Sequence, residues 1–440
     1  MKNLQELNTE FKNNNFQLYK VGGCVRDKLL NRENHDIDLV TNATPEQLSK
    51  IFHTVDIGGK KFGITIIPTD EESFEVATFR EDSIATDHRH PDFIKFSTIE
   101  KDAFRRDFTM NALYEDMNGK ILDPTGHGLI DIKNNTINFC SEDNSCQGAM
   151  NRINEDHLRI LRAFRFMAIL GFNFSDSTEM SLEVSAMNPH IFDDISKERI
   201  SQELKKLIIG KNVVKTILLM QKMGYLKLIL PQVSSLELCQ QSKDYHKEGN
   251  VFIHSMLVLA NCNGDYLDKI ACILHDIGKP ATFTKNKHGA IINPNHENIG
   301  ADMSEKILSD LKFSKEESDI ICATIRYHMT IKDIGKLKKS VAWPILQNKY
   351  FSHIYNVALA DEKGKITDKK FTTLDEQLKR PEIEYMLNTK MPEPLITGED
   401  LIAMGRKPDK SFKRLLATAY SVQLNHNWTK EQIIRQMKGW

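Results

Sequence analysis

Two acids one residue apart, Asp36 and Asp38 in HDIDLV, have a spacing that suggests chemistry. On an extended strand, side chains i and i+2 leave the same face, so both carboxylates would project side by side. Paired negative charge is unfavourable unless a cation neutralises it, and hard oxygen ligands suit Mg²⁺. Such ions activate a hydroxyl nucleophile and steady a departing pyrophosphate. Glu75, in FEVATFR, offers a third carboxylate, the alternative being an ordinary strand-face ion pair with an arginine. Upstream, Gly22 and Gly23 of YKVGGCVRD follow a short apolar run and precede a helical pattern. Small residues there let a phosphate approach the backbone, although a glycine pair alone is usually just a turn.

A second group is basic. Arg105 and Arg106 of RRDFTMNAL can grip phosphate with their guanidinium forks, and Asp107 and Asn111 can orient a sugar or those arginines. The same string taken alone reads as a helix with exposed arginines. On a helix over EDHLRILRAFRF, Asp156 and Arg159 stand at i, i+3 and share a face, and Arg162 continues it. An acceptor beside donors matches the amino group and ring nitrogen on the pairing edges of cytosine and adenine. Uracil and guanine present the reverse pattern, so this pair would select C and A. Its ordinary counterpart is a surface salt bridge.

A third group mixes histidine with carboxylate. His254, the dyad His275–Asp276 in ILHDIGKP, His296, His328 and Asp361 recur near expected helix ends. A lone histidine on an apolar helix is usually packing, but a charged dyad interrupting an apolar run needs a partner. Such ligands suit Ni²⁺, Mn²⁺, Zn²⁺, Fe or Mg²⁺ without choosing among them.

These groups must be positioned by two kinds of architecture. The first 140 residues or so mix β-type runs at 37–40, 64–67 and 74–79 with a helix at 45–52 capped by Thr44. The polar stretch 140–150 reads as a loop and boundary, and from Asn154 onward the pattern is almost wholly helical, with a short hairpin arm at 290–293. At 440 residues, 40% hydrophobic and 27% charged, the chain should form several globular domains. Its net charge of −1 gives no general support for nucleic-acid binding, so a basic stretch such as 405–440 would have to supply it locally. Seven cysteines without CxxC pairing suggest reduced thiols in a cytoplasmic protein. The lack of long apolar runs argues against a membrane partner.

The order GGCVRD, DID, FEVATFR, DHRHP, RRDFTMNAL and LDPTGHGLIDI resembles the head of class II nucleotidyltransferases, which include CCA-adding enzymes and bacterial poly(A) polymerases. The resemblance implies an α/β head, with a mixed sheet and helices, followed by a mostly α-helical neck, HD domain and tail. The expected boundaries are 1–140, 141–235, 236–375 and 376–440. It implies that Asp36 and Asp38 are the catalytic metal pair, and that Gly22, Gly23, Arg26, Asp27, Arg105 and Arg106 seat the nucleotide. EDxxR becomes the nucleotide-selecting motif, although His157 stands where the family usually has proline. Arg199 in ERISQEL becomes a structural or primer-proximal residue.

The H…HD…D pattern resembles HD phosphohydrolases. By that likeness His254, His275, Asp276 and Asp361 are ligands, His296 and His328 complete a second metal or phosphate site, and Lys279 contacts phosphate. The implied activity is CCA addition to tRNA from CTP and ATP with Mg²⁺, joined to hydrolysis of a 2′,3′-cyclic phosphate, 2′-nucleotide or phosphate ester. Poly(A) polymerase, an A-adding enzyme, or an HD hydrolase with an RNA-binding head are the alternatives. DHRHP, at 87–91, resembles a flexible region used to switch from C to A. Monomer and homodimer both remain open.

Overall fold

A computed structural model of the chain describes residues 3–34, 36–55, 63–70, 73–82, 94–242 and 246–437. It divides into two compact units, Met1–Ile229 and Leu230–Trp440. His35 and the DHRHP segment lie outside the described residues.

In the first unit the strands are β1 (Leu18–Val21), β2 (Leu39–Thr41), β3 (Ile64–Pro68), β4 (Ser73–Thr78), β5 (Arg80–Asp82), β6 (Ile94–Phe96), β7 (Tyr114–Asp116) and β8 (Ile121–Leu122). Six of them form a mixed sheet in the order β3-β4-β2-β1-β7-β8, in which β2 and β4 run parallel. Among the described residues, β5 pairs with β6 in a separate two-stranded sheet. Adjacent residues of β2 point to opposite faces, so Leu39 enters a cluster with Leu7, Phe11 and Leu48 while Val40 joins Val21, Phe79 and Tyr114. Both faces are therefore covered, and the sheet is held by apolar packing on each side. The helix Pro45–Ile51 opens as expected, with Thr44 and Gln47 forming a reciprocal capping box.

Three local expectations need correction. β2 begins at Leu39, so Asp36 and Asp38 precede the strand; the Asp38 carbonyl still accepts from the Val21 N–H at 3.0 Å. The stretch 140–150 is only partly a loop, because a helix runs from Cys146 to Glu155 with the Ser145 hydroxyl accepting the Gly148 N–H. Its polar residues are a cap and an exposed helix face, which composition alone cannot separate from a loop. RRDFTMNAL is not one helix either: Arg105 ends the helix Ile99–Phe104, and Thr109–Asn111 form a 3₁₀ turn.

The second unit is helical apart from the two-stranded pairing of Thr284–Lys285 with Ile291–Ile292, the short hairpin expected there. Helices Val251–Asn261, Tyr266–Leu274, His296–Asp310, Lys315–Tyr327 and Phe351–Gly364 carry the histidine cluster. Farther along, Ile396, Leu401, Leu415, Ile433 and Met437 form a separate apolar cluster beneath the last helices. All seven cysteines are free thiols. Among the described residues, no helix is long and apolar enough to cross a membrane.

Candidate functional site

The head site starts at the glycine turn. Gly22 has φ 78°, a left-handed conformation that favours glycine, and caps the helix Gly23–Leu29. A Cβ at Gly22 would sit 3.5 Å from Arg106 Nη1, so the turn lies against the second basic motif. Arg26 and Asp27 are buried and bonded to each other, and Arg26 Nη1 donates to Asn111 Oδ1 at 2.7 Å. These two side chains brace the turn from within.

Asp36 and Asp38 remain exposed. The parallel pairing of Leu39 with Val76 brings Asp38 beside Glu75, one residue earlier on each side of the pairing. Although its tip is open, the walls of the site strip hydration from the Asp38 carboxyl and raise its pKa. Arg106 opposes that rise, while Glu75 and Asp36 add to it. A carboxylate crowded by two others fits a site that needs a cation. Among the described residues, groups of three or more potential ligands converging within 4.8 Å all lie in the second unit, so the head acids form an open arrangement.

Beside them, fully buried Asp102 accepts from Arg105 Nε at 2.8 Å, from Arg106 Nη2 at 3.1 Å and from the Tyr114 hydroxyl at 2.7 Å. Burial works against the Asp107 carboxylate, but Arg162, Asn111 and the Phe108 N–H together hold its pKa below the usual range. Arg105, Arg106, Asp107, Asp156, Arg159, Arg162 and Arg199 line one open cavity of about 280 Å³. The RRDFTMNAL and EDHLR segments, far apart in the chain, are thereby brought together.

The internal arrangement differs from the expected one. Asp156 has extended φ/ψ (−154°, 103°) at the break between Cys146–Glu155 and Leu158–Leu170, so it does not share a helix with Arg159. Arg159 pairs with Glu155 at 2.8 Å, whereas Asp156 pairs with Arg199 at 2.9 Å. His157, in place of proline, starts the second helix with Nδ1 2.9 Å from Asp194. Helical spacing could not foresee this kink, because nothing in EDHLR breaks the pattern. Asp102 and the Asp156–Arg199 pair were missed for a related reason: their partners are set by folding.

The second site is built on helices. His254 and Asp361 lie inside Val251–Asn261 and Phe351–Gly364; His275 and His328 each follow a helix end, and His296 opens one. Gly278 is required for this closeness, because a Cβ there would fall 2.2 Å from the His296 carbonyl oxygen. His254, His275, Asp276, His296, His328 and Asp361 are all 0–6% exposed. Asp276 Oδ2 is 3.1 Å from His275 Nε2 and Oδ1 is 3.2 Å from His296 Nε2; Asp361 Oδ1 is 3.2 Å from His254 Nε2. Nδ1 of His275, His296 and His328 faces the carbonyls of Cys272, Asn293 and Ile325 at 2.6–2.8 Å. That fixes the tautomer and turns each Nε2 inward.

Burial lowers the His275 pKa to about 4 against the pull of Asp276, keeping the imidazole neutral, the form that ligates metal. Nε2 of His275, His296 and His328, with Asp276 Oδ2 and Asp361 Oδ1, are buried without a hydrogen-bond partner. Buried polar atoms are normally satisfied, so five converging orphans fit a divalent metal. The cluster opens into a cavity of about 480 Å³ whose basic lining includes Lys279, Lys332, Lys336, Lys365 and Arg380. Lys279 lies 2.6 Å from Asp276 Oδ2, and Lys332 contacts Asp361 Oδ2. Lys332, His246 and Glu248 were not singled out by sequence, since no periodicity links them to the histidines.

Three family models match: the poly A polymerase head domain over residues 18–138, a probable RNA and SrmB binding site of polymerase A over 171–236, and the HD domain over 251–362. The chain is 39% identical over 239 residues to a CCA-adding enzyme of Lactococcus lactis, covering 52% of this chain and 57% of that protein. It thus spans little more than half the length of that relative. It is 30% identical over 368 residues to the multifunctional CCA protein of Neisseria gonorrhoeae, covering 80% of this chain and 84% of the relative. The fold matches that of the Bacillus stearothermophilus CCA-adding enzyme in complex with CTP, with a TM-score of 0.69 at 23% identity, over 99% of this chain and 96% of that one. The chain belongs to the family of CCA-adding enzymes and multifunctional CCA proteins, with a poly A polymerase head, an RNA-binding segment and an HD domain.

Proposed function

We propose that the chain adds CCA to the 3′ end of tRNA from CTP and ATP, and that its HD centre hydrolyses phosphate esters. The observation that carries the first part is the exposed Asp36–Asp38 pair beside Glu75, together with an arginine-lined cavity holding Asp107, Asp156 and Arg159. Asp36 and Asp38 would hold Mg²⁺, which supplies charge neutralisation at the attacking and leaving oxygens. Arg105 and Arg106, steadied by Asp102, offer donors to the triphosphate. Gly22 and Gly23 leave room for phosphate at the turn, and buried Arg26 and Asp27 keep that turn in place. For base selection, Asp156 supplies an acceptor and Arg159 donors, once each exchanges its present partner, Arg199 or Glu155, for the base. Arg162 and Asn111 keep Asp107 oriented.

In the HD centre His254, His275, Asp276 and Asp361, with His296 and His328, would hold Ni²⁺, Mn²⁺, Zn²⁺ or Mg²⁺, which supplies an activated water for attack on phosphorus. Lys279 and Lys332 stand where a phosphate would need cationic partners. The four functional segments are a head at 1–140, a selecting neck at 141–235, an HD domain at 236–375 and a tail at 376–440 whose basic helices contact tRNA.

Primer extension tests the main reading. On a tRNA lacking CCA, with Mg²⁺, CTP alone should add two C residues, and CTP with ATP should complete a single A. Growth with ATP only, as a long tail or onto CC ends, would instead make this a poly(A) or A-adding enzyme. No incorporation would leave hydrolysis as the chain's activity.

A further inference from the structure

The four HD histidines are not held alike. His275, His296 and His328 rest Nδ1 on neutral backbone carbonyls, with Glu297 Oε2 farther off at 3.5 Å from His296 Nδ1. His254 instead has Nδ1 2.9 Å from Glu248 Oε1, a close charge contact without the alignment of a hydrogen bond, and both side chains are 1% exposed. Its Nε2 faces the cluster, 3.2 Å from Asp361 Oδ1 and 3.8 Å from Asp276 Oδ2. Glu248 Oε1 also takes His246 Nδ1 at 2.7 Å, and His246 lines the cavity. The other oxygen, Oε2, accepts the Ile366 N–H at 3.0 Å, while Lys247 N–H donates to the Ile366 carbonyl at 2.8 Å. Ile366 lies just beyond Phe351–Gly364, the helix that carries Asp361. One buried carboxylate thus touches two imidazoles and the chain segment that follows another ligand.

We propose that Glu248 is a positioning residue of the metal centre, aiming His254 at the ion and tying that ligand to the segment beyond Asp361. A carboxylate behind an imidazole fixes its tautomer and makes the opposite nitrogen a stronger donor than a carbonyl does. Of the four imidazoles His254 has the nearest carboxylate behind it, 2.9 Å against 3.5 Å from His296 Nδ1 to Glu297 Oε2, and Glu248 also keeps the His246 ring against the cavity wall. The inference rests on the reading that this centre binds a divalent metal.

The test is Mn²⁺ binding to the full-length, metal-stripped chain by calorimetry, with Mn²⁺ paramagnetic resonance as a second readout and thermal melting of the metal-free protein as a folding check. The wild-type chain without nucleotide should bind Mn²⁺, and His275→Ala/Asp276→Ala should not. If the wild type does not bind, the metal reading itself fails. If it binds, Glu248→Gln should weaken affinity by about 10- to 100-fold and alter the resonance spectrum. Nucleotide addition should be unchanged. Should Glu248→Gln fail to fold, Glu248→Asp, which keeps the charge but withdraws it by one methylene, should show a smaller loss of the same kind. Wild-type affinity in either folded variant, even with a lower melting temperature, would make Glu248 a structural tie only and overturn the inference.

Discussion

In the head, Asp36 and Asp38 stand exposed just ahead of β2, with Asp38 aimed by main-chain pairing and crowded by Glu75 and Asp36. In the second unit, the six candidate ligands are 6% exposed or less, and three of their imidazoles are braced by carbonyls from behind. On the proposed reading the open pair would leave room for a nucleotide to complete an ion's coordination, as Mg²⁺ sites with few carboxylates and substrate phosphates do. On the proposed reading the buried cluster is preformed, so selectivity would be built into fixed ligands and a substrate would meet an ion already in place. If both sites hold metal as proposed, exposure would couple one ion to its substrate and burial would keep the other resident.

The sharpest way to break this comparison is to remove one site at a time. Asp38→Ala should lower nucleotide incorporation by about 10³-fold or more, because an ion at the reacting oxygens supplies several kcal/mol. Phosphohydrolysis should persist in that variant. His275→Ala/Asp276→Ala should do the reverse, losing hydrolysis while still extending tRNA. Loss of both activities in either variant would mean the sites do not act separately.

A smaller effect sharpens the account of the head. Arg199→Ala frees Asp156 from its 2.9 Å partner and leaves the kink between two helices less fixed. Discrimination of CTP and ATP against UTP and GTP should fall by about 10-fold, within the 1–3 kcal/mol of a two-point base contact. Competition assays with paired nucleotides measure this, and unchanged selectivity would remove Arg199 from base selection.

The smallest expected effect is on stability in acid. Asp102 and Asp107 have folded pKa values held below the ordinary 3.8 despite burial, the first by Arg106 and Arg105, the second chiefly by Arg162. A depressed carboxylate stabilises the fold fully above its unfolded pKa, and that contribution is lost as pH falls through the folded value. Calorimetry should therefore show the melting temperature falling below about pH 4, by about 2–4 °C per kcal/mol lost. Asp102→Asn should melt lower at neutral pH and show a shallower acid dependence.

Much of this molecule was legible before its structure. The glycine turn, the Thr44 capping box, the β3 and β4 runs, the helical body and the hairpin near Ile291 follow from local patterns. The histidines and aspartates of the HD centre were also visible, because a charged dyad inside an apolar segment needs a partner. The Asp156–Arg159 geometry was misread: spacing assumes an unbroken helix, and the chain kinks at Asp156. The loop expected at 140–150 was partly wrong because a capped polar helix and a loop share the same residues.

The sequence by itself determined which residue types are available and which short elements carry them, since caps, turns and side-chain periodicity act over a few positions. Only the tertiary structure decided their partners. It set Asp102 beneath two arginines, gave Asp156 to Arg199 and Arg159 to Glu155, and placed Glu248 behind His254. Burial and through-space distance make these choices, and neither is encoded in local spacing along the chain.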